Sequence, residues 1–274
     1  MTDTSSRPDL DELLDAMGAA GARISEIDAS EAGAGNISVL VGWDVDLSEH
    51  FPGEVALELP VPAPALAGHT LLVTGSGRRL RQIAADPLAN VGAVRVGPDG
   101  ASATLHHHPR RLFERLTSEF NSHLGVHQDH VARRGVDFQA VVHAQPPHLT
   151  YLSHLAGYRD TRTFNRRVLR WEPETVVSLA AGIGVLPFLV PGSAEMMAAN
   201  VAGLRDHEIV LWSKHGVMSR SDVSVTRAVD RVEYAETGAR YEYMDLVAGG
   251  RGEGLSEGEL RRVAEEFGVE TSWI

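Results

Sequence analysis

Cysteine is absent from the 274-residue sequence, so the chain has neither a disulfide bond nor a thiolate metal ligand at its disposal. Any metal site must therefore be built from histidine, carboxylate or amide side chains. The sequence also lacks a secretory signal and an apolar run long enough to cross a membrane. From these absences we expect a cytoplasmic protein.

Positive charge is scarce as well: 25 lysine and arginine residues face 37 aspartate and glutamate residues, and the net charge is −12. Nucleic acids and membrane surfaces bind basic patches, so we expect neither as a partner. The P-loop and the dinucleotide-binding fingerprint are missing too. We expect the one basic run to lie at a subunit interface rather than to contact a phosphate. It consists of Arg159, Arg162, Arg166, Arg167 and Arg170.

Potential metal ligands occur in segments that lie far apart in the sequence. His143 and Gln145 alternate on a predicted strand, so both side chains point to one face, and His215 would reach them through the fold. Zinc favours imidazole nitrogen and tolerates oxygen ligands, with an open position for substrate in a catalytic site. We therefore predict one divalent metal ion, zinc with manganese or cobalt as alternatives, bound by these three residues. Glu119 is predicted to lie beside the ion and to transfer a proton.

The other histidines are weaker candidates. The chain has 13 of them, and a lone histidine beside apolar residues is more often a hydrogen-bonded core or edge residue than a ligand. The side chains of the triplet His106–His108 diverge in direction and a proline follows, so we expect a solvated loop there. His148 follows two prolines and starts a helical spacing, which makes it a weak replacement for Gln145.

Two glycine-rich turns and one helix start favour the binding of an oxyanion. The turns are Gly33–Gly35, which leads into a strand, and Thr74–Gly77, which follows one. The helix start at Thr117–Ser118 offers hydroxyls and free backbone N–H groups. Each could be an ordinary junction, but together with a metal site they indicate a small phosphorylated substrate. The predicted phosphate-binding residues are Asn36, Ser76, Gly77, Thr117 and Ser118.

The organisation of the chain indicates a single domain over residues 1–274, with residues 1–8 frayed. The apolar fraction of 43% is ordinary for a globular protein, and no linker or repeat divides the chain. Local patterns predict three elements that can be checked against the structure. These are a first helix that starts at Leu10 and breaks at Gly18–Gly21, a strand pair around Gly97–Gly100 and a last helix with a capping box of Ser256 and Glu259.

The order of the motifs resembles that of the class II aldolase/adducin family, from about Asp9 to the C-terminal helix. The motifs are GAGNISV, VTGSG, TSEF, VVHAQ, VPGS and KHGV. The resemblance implies a single α/β domain with a central, mainly antiparallel sheet flanked by helices, and a C4 homotetramer. It also implies a metal-dependent lyase of carbohydrate metabolism that cleaves a ketose 1-phosphate. The implied substrate is L-rhamnulose 1-phosphate, which would place the enzyme in rhamnose metabolism with dihydroxyacetone phosphate and L-lactaldehyde as products.

The resemblance also bears on individual residues. It places Glu174 where a catalytic carboxylate reaches the active site of the neighbouring subunit. Two positions depart from the family pattern, because Gln145 replaces the second histidine of a His-x-His motif and Gly33 replaces an asparagine. Gln145 could bind the ion through its amide oxygen or stand behind the histidines, and the neutral oxygen would hold zinc less tightly than imidazole.

Three alternatives to this substrate remain open at the level of sequence. One is an aldolase for another sugar phosphate, and a second is an epimerase, although epimerases of the family usually carry aspartate where Glu119 stands. The third is a non-catalytic scaffold like the adducin head domains, which have lost the metal ligands. Gln145 favours the scaffold, whereas Glu119, His143 and His215 oppose it.

Overall fold

The structure is a computed structural model and describes residues 7–274. Most of the segment that we expect to be frayed therefore lies outside the described residues. Arg7, the first described residue, forms an ion pair with Asp137 at 3.0 Å and lies over the ring of Trp43.

Nine strands form one sheet in the described part of the chain. The strand order is β2-β5-β4-β3-β1-β6-β9-β8-β7, and every neighbouring pair is antiparallel except the parallel pair of β7 and β8. The strands are β1 (Asn36–Val41), β2 (Gly53–Glu58), β3 (Thr70–Thr74), β4 (Val91–Val96), β5 (Ser102–His107), β6 (Phe138–Ala144), β7 (Ile183–Leu186), β8 (Ile209–Trp212) and β9 (Gly216–Ser221). This architecture confirms the single α/β domain with a mainly antiparallel sheet.

Helices cover both faces of this sheet. They are α1 (Leu10–Glu26), α2 (Pro87–Asn90), α3 (Phe120–Arg134), α4 (Pro147–Leu152), α5 (Thr161–Val168), α6 (Glu174–Ser178), α7 (Ala194–Asp206), α8 (Val225–Val247) and α9 (Glu257–Glu266). The capping box of Ser256 and Glu259 at α9 is present, as is the strand pair β4–β5. Both local predictions are therefore confirmed.

The first helix shows where a local prediction was wrong. α1 does not end at Gly18 and Gly21 but continues to Glu26. A Cβ at Gly18 would lie 2.8 Å from Cα of Ala84, and one at Gly21 would overlap the carbonyl oxygen of Leu80. The two glycines therefore allow close packing of α1 on the segment around residue 80. That tertiary contact outweighs the low helix propensity of glycine, a cost of about 1 kcal/mol per residue.

The histidine triplet also differs from the expected solvated loop. His106 and His107 are the last residues of β5, where they pair with Glu54 and Gly53 of β2. The imidazole Nδ1 of His106 lies 3.6 Å from the Glu54 carboxylate. The strand continues because cross-strand pairing satisfies the backbone until Pro109 ends it.

The alternation of residues along the central strand β1 divides the core into two layers. Ile37, Val39 and Val41 pack in the cluster that contains α1 and α8. Leu40 packs on the opposite face, in a cluster with residues of α3. Ser38 has the parity of Leu40 and therefore faces α3 as well. The first residue of β1, Asn36, pairs with His143 near the end of β6, so the two strand ends meet at one edge of the sheet.

Candidate active site

The site lies where segments distant in sequence converge beside Asn36 and His143. The segment after β3 is held there by a bridge between Gly75 and Leu116, and by the bond from the backbone N–H of Thr117 to the carbonyl oxygen of Thr74 (3.1 Å). These contacts bring the glycine-rich turn against the start of α3. Two predicted oxyanion-binding segments are thus neighbours in the fold.

A cavity of about 180 Å³ opens between these segments. Its lining contains all five residues that the sequence predicts to bind phosphate, together with Glu119, His143 and Gln145. The lining residues are Gly33, Ala34, Gly35, Asn36, Gly75, Ser76, Gly77, Thr117, Ser118, Glu119, His143 and Gln145. No lysine or arginine is among them, so a phosphate here would be held by neutral donors and by the N-terminus of α3.

Glu119, His143 and His215 form a group that can hold a metal ion. One candidate ligand atom from each residue lies within 4.8 Å of the others. His215 reaches the group from the turn between β8 and β9, next to Lys214, whose φ of 68° is in the left-handed region. Such strained backbone is concentrated at functional sites. The structure therefore brings together two predicted metal ligands and the predicted proton-transfer group.

The imidazole of His143 is fixed in one tautomer and one orientation. Its Nδ1–H donates to the backbone carbonyl oxygen of Val217 at 2.8 Å. The other ring nitrogen, Nε2, lies 3.6 Å from Oε2 of Glu119. The ring also stacks on Trp212, with 4.4 Å between centroids, and is 1% exposed. Histidines that bind a metal ion through one ring nitrogen typically donate a hydrogen bond from the other, as Nδ1 of His143 does here.

His215 is a neutral imidazole with an unused nitrogen. Burial is the main cause that lowers its pKa, the neighbouring His143 lowers it further, and the carboxylates of Glu119 and Glu31 act in the opposite direction. Its Nδ1 is buried and has no hydrogen-bond partner among the described residues. A buried polar atom without a partner is unfavourable unless a ligand or water satisfies it.

Gln145 lies directly after the end of β6, and its backbone N–H donates to the carbonyl oxygen of Ala29 at 2.8 Å. With the amide turned to satisfy both of its ends, Oε1 accepts from Nε2 of His215 at 3.0 Å and the amide nitrogen donates to Glu31. In this arrangement Gln145 orients His215. Direct ligation of the ion by Gln145 stays a prediction.

Glu119 is the residue just before α3 and is 5% exposed. Its Oε2 accepts a hydrogen bond of 2.7 Å from Nδ2 of Asn36, and its backbone N–H donates to Oγ1 of Thr117 at 3.3 Å. The N-terminal end of a helix favours a negative charge. Because the amide nitrogen of Asn36 carries two N–H groups, the second one remains available to a substrate.

Other predicted residues lie elsewhere. Glu174 is exposed at the first position of α6 and is not among the residues that line the cavity. His148 is the second residue of α4 and contacts the Glu236 carboxylate through Nδ1 at 2.6 Å. In the basic run, Arg170 pairs with Glu242 at 3.4 Å and Arg167 lies over the ring of Tyr158. The interface role of that run stays a prediction.

Four buried polar residues behind Asn36 are not among the residues predicted from the sequence. They are Ser38, His123, His127 and Gln139, and each is 0% exposed. A signal was present, because Glu119, His123 and His127 recur at intervals of four and so share one face of a helix. Within residues 7–274, no helix is long and apolar enough to span a membrane.

Comparisons with known proteins agree with this geometry. A family model described as "Class II Aldolase and Adducin N-terminal domain" matches residues 15–243. A rhamnulose-1-phosphate aldolase of Escherichia coli O7:K1 is 29% identical over 245 residues, which are 87% of each chain. The crystal structure of a sugar-phosphate aldolase from Thermotoga maritima has a TM-score of 0.74 and 27% identity, covering 89% of this chain and 98% of that one.

A more distant solved structure shares the fold alone. It is an L-fuculose-1-phosphate aldolase from Thermus thermophilus, with a TM-score of 0.52 and 20% identity. The match covers 89% of this chain and 98% of that one.

Proposed function

The chain belongs to the class II aldolase and adducin family and is a lyase of the aldolase type, and we propose that it cleaves a ketose 1-phosphate. The proposed substrate is L-rhamnulose 1-phosphate, and the proposed products are dihydroxyacetone phosphate and L-lactaldehyde. One observation carries the proposal: Glu119, His143 and His215 surround one point beside a cavity lined with phosphate donors.

The donor set fits the divalent metal ion that class II aldolases use. Two imidazoles and one carboxylate match the ligand preference of zinc, which is the metal we propose. The fixed tautomer of His143 and the unpartnered Nδ1 of His215 both leave nitrogen lone pairs in the site. A divalent ion at this position would supply Lewis-acid polarisation of a substrate oxygen.

Glu119 is proposed to move the proton at the carbon of the dihydroxyacetone phosphate unit where the bond breaks. Its Oε2 accepts the N–H of Asn36, and that bond holds the carboxyl group in place. General acid or base catalysis by one positioned group contributes about 10²- to 10⁴-fold in rate. The proton of the hydroxyl that becomes the aldehyde needs a second acceptor. We propose the carboxylate of Glu174 from a neighbouring copy.

The phosphate is proposed to bind the neutral donors of the cavity wall. Ser76, Gly77 and Ser118 are exposed to solvent there, and the φ of 70° at Gly77 is a conformation that glycine adopts without strain. Asn36 and Thr117 would complete the set. Such a site recognises the phosphorylated half of the substrate and leaves the choice of aldehyde to other residues.

A homotetramer is part of the proposal, in which Glu174 would reach the cavity of a neighbouring copy. Glu174 is exposed in the structure and belongs to a helix that packs against α8 and α9. Glu174 is not among the residues that line the cavity of its own chain, which supports a role across a subunit boundary.

An aldolase for another ketose phosphate is the second candidate. The departures at Gly33 and Gln145 favour it, because both residues line the cavity and both change its donors. An epimerase would use the same cleavage without release of the aldehyde.

The deciding experiment is a product assay with zinc-loaded enzyme. L-rhamnulose 1-phosphate, L-fuculose 1-phosphate and L-ribulose 5-phosphate would be tested in parallel, with free dihydroxyacetone phosphate as the readout. We expect release from the first substrate with the highest kcat/KM. Preferred cleavage of the second would transfer the assignment to that sugar. Conversion of the third without any release would indicate an epimerase. If no substrate reacts and zinc, manganese and cobalt all fail to bind, the chain is a scaffold.

A further inference from the structure

A line of buried side chains runs from Glu119 into the space between α3 and the sheet. Each member is hydrogen-bonded to the next over 2.5 to 2.8 Å. None is more than 7% exposed, so bulk water does not compete strongly for these bonds. In order from Glu119, the members are Asn36, His123, Ser38, His127 and Gln139.

The first bond sets the direction of the line. Nδ2 of Asn36 donates to Oε2 of Glu119, so the amide oxygen of Asn36 faces the other way. That oxygen lies 2.5 Å from Nε2 of His123. Since a carbonyl oxygen can only accept, Nε2 of His123 must carry a hydrogen.

Both histidines of the line are neutral and therefore have one N–H each. Burial lowers the pKa of His123 well below its ordinary value, and it lowers the pKa of His127 to about 3. The ring nitrogens of both residues contact only hydroxyl and amide groups, and no carboxylate. With its one hydrogen on Nε2, His123 must accept at Nδ1.

The remaining bonds are then determined in turn. Nδ1 of His123 accepts from the hydroxyl of Ser38 at 2.7 Å, so the oxygen of Ser38 must accept from Nε2–H of His127 at 2.7 Å. Nδ1 of His127 is then an acceptor, but it faces the amide oxygen of Gln139 at 2.8 Å. The line therefore requires the Gln139 amide to be turned by about 180°, so that its nitrogen, which has no other partner among the described residues, donates to Nδ1 of His127.

We propose that His123, Ser38 and His127 are positioning residues that hold the amide of Asn36 with its N–H toward Glu119. In the reversed direction the amide oxygen of Asn36 would face the carboxylate, and two acceptors would oppose each other across a buried contact. The line thus selects the one orientation in which Asn36 donates to Glu119. The catalytic meaning of this inference rests on the proposed function, because it takes Glu119 as the proton-transfer group.

A matched pair of variants separates this role from simple packing. In His123→Gln the new amide nitrogen lies near the position of Nε2 and can still donate to Asn36. In His123→Asn the new amide lies near the position of Nδ1 and loses that contact. We expect His123→Gln to retain most of kcat. His123→Asn should lower kcat by about tenfold or more with KM little changed, the order seen when a supporting hydrogen bond of a site is lost.

Melting temperatures measured on the same two zinc-loaded variants control for folding. Equal losses of kcat in both would mean that the ring serves only packing, and would overturn the proposal. If the Asn variant does not fold, Ser38→Ala replaces it as a break in the middle of the line, with the same expected fall in kcat at constant KM.

Neutron diffraction of the deuterium-exchanged, zinc-loaded protein locates the hydrogens without reference to activity. We expect deuterium on Nε2 of His123 and of His127, and an amide deuteron of Asn36 directed at Glu119. Deuterium on Nδ1 of either ring would overturn the proposal. This readout needs no substrate. An enzyme that is inactive on every ketose phosphate would refute the proposed function, but the neutron structure would still show the direction of the hydrogen bonds.

Discussion

His143 donates its Nδ1–H to the carbonyl oxygen of Val217 at 2.8 Å, and this one bond determines which nitrogen faces the cavity. The free Nε2 lies 3.6 Å from the carboxylate of Glu119. Because the two side chains are almost completely buried, charges between them interact more strongly than they would in water. The two side chains are therefore preorganised to bind an ion and to transfer a proton.

Replacement of the carboxylate tests the proton-transfer role. Glu119→Gln keeps the shape and the contact to Asn36 but cannot accept a proton. We expect kcat to fall by about 10²- to 10⁴-fold, the range for loss of a general acid or base. Steady-state kinetics on L-rhamnulose 1-phosphate would measure the change. Glu114→Gln, an exposed site on the same segment, is the matched control and should keep full activity. An unchanged kcat in Glu119→Gln would remove the residue from the chemistry.

The two glycines of α1 give a prediction for stability. Gly21→Ala places a Cβ against the carbonyl oxygen of Leu80, so we expect a loss of about 1–3 kcal/mol in the free energy of unfolding. Gly258→Ala is the control, because its Cβ would meet nothing within 4 Å in α9. There the change should stabilise the protein by up to about 1 kcal/mol through helix propensity. Denaturant unfolding of both variants measures the difference. If Gly21→Ala proved as stable as the wild type, the close-packing explanation would be wrong.

The length of α1 shows what sequence patterns can and cannot predict. The capping box of Ser256 and Glu259 was predictable because all of its bonds join residues three positions apart. Whether Gly21 breaks a helix depends on a partner near Leu80, and no local pattern contains that information.

The candidate site divides in the same way. His143 and Glu119 were predictable from their local motifs, and the strand pairing of Asn36 with His143 then brought the motifs together. The role of Ser38 was not predictable, because it depends on which face of β1 meets His123 and His127 of α3. That contact is a property of sheet register and helix packing rather than of spacing.

Buried histidines outside the metal site predict how stability depends on pH. Burial lowers the pKa of His127 to about 3 and that of His130 to about 4. In the unfolded chain both rings take up protons near the ordinary histidine pKa of about 6.5. Their contribution to stability is therefore complete above about pH 6.5 and is lost as the pH falls toward the folded pKa values, by about 1.4 kcal/mol per pH unit for each ring.

Denaturant unfolding of the zinc-free protein between about pH 7 and 5 measures this slope, in a range where most carboxylates stay ionised. His130→Gln can keep the contact to the carbonyl oxygen of Leu204 without titrating. We expect its slope to be smaller by about 1.4 kcal/mol per pH unit. An identical slope in wild type and variant would show that His130 is protonated equally in both states.

We expect substitutions of Gln145 to change the affinity of the protein for zinc. If its amide oxygen is a ligand or orients His215, Gln145→Ala should weaken zinc binding by about 10- to 100-fold. Gln145→His should tighten it, because imidazole is the better zinc donor. Titration of metal-free protein under a competing chelator provides the affinities, and Glu31→Gln reports on the bond behind Gln145. Equal zinc affinities for all four proteins would remove Gln145 from the site.

If Glu174 acts in the site of a neighbouring subunit, oligomers that contain two different inactive variants should regain activity. Glu119→Gln and Glu174→Gln homo-oligomers should each be nearly inactive, because every site lacks one carboxylate. In mixed oligomers, some sites combine an intact Glu119 from one copy with an intact Glu174 from its neighbour, so activity should return. Co-expression with two different affinity tags and sequential purification isolates such mixtures, and an equal mixture of the separately purified homo-oligomers is the control. If the mixed oligomers are no more active than that control, Glu174 does not contribute to the site of the neighbouring subunit.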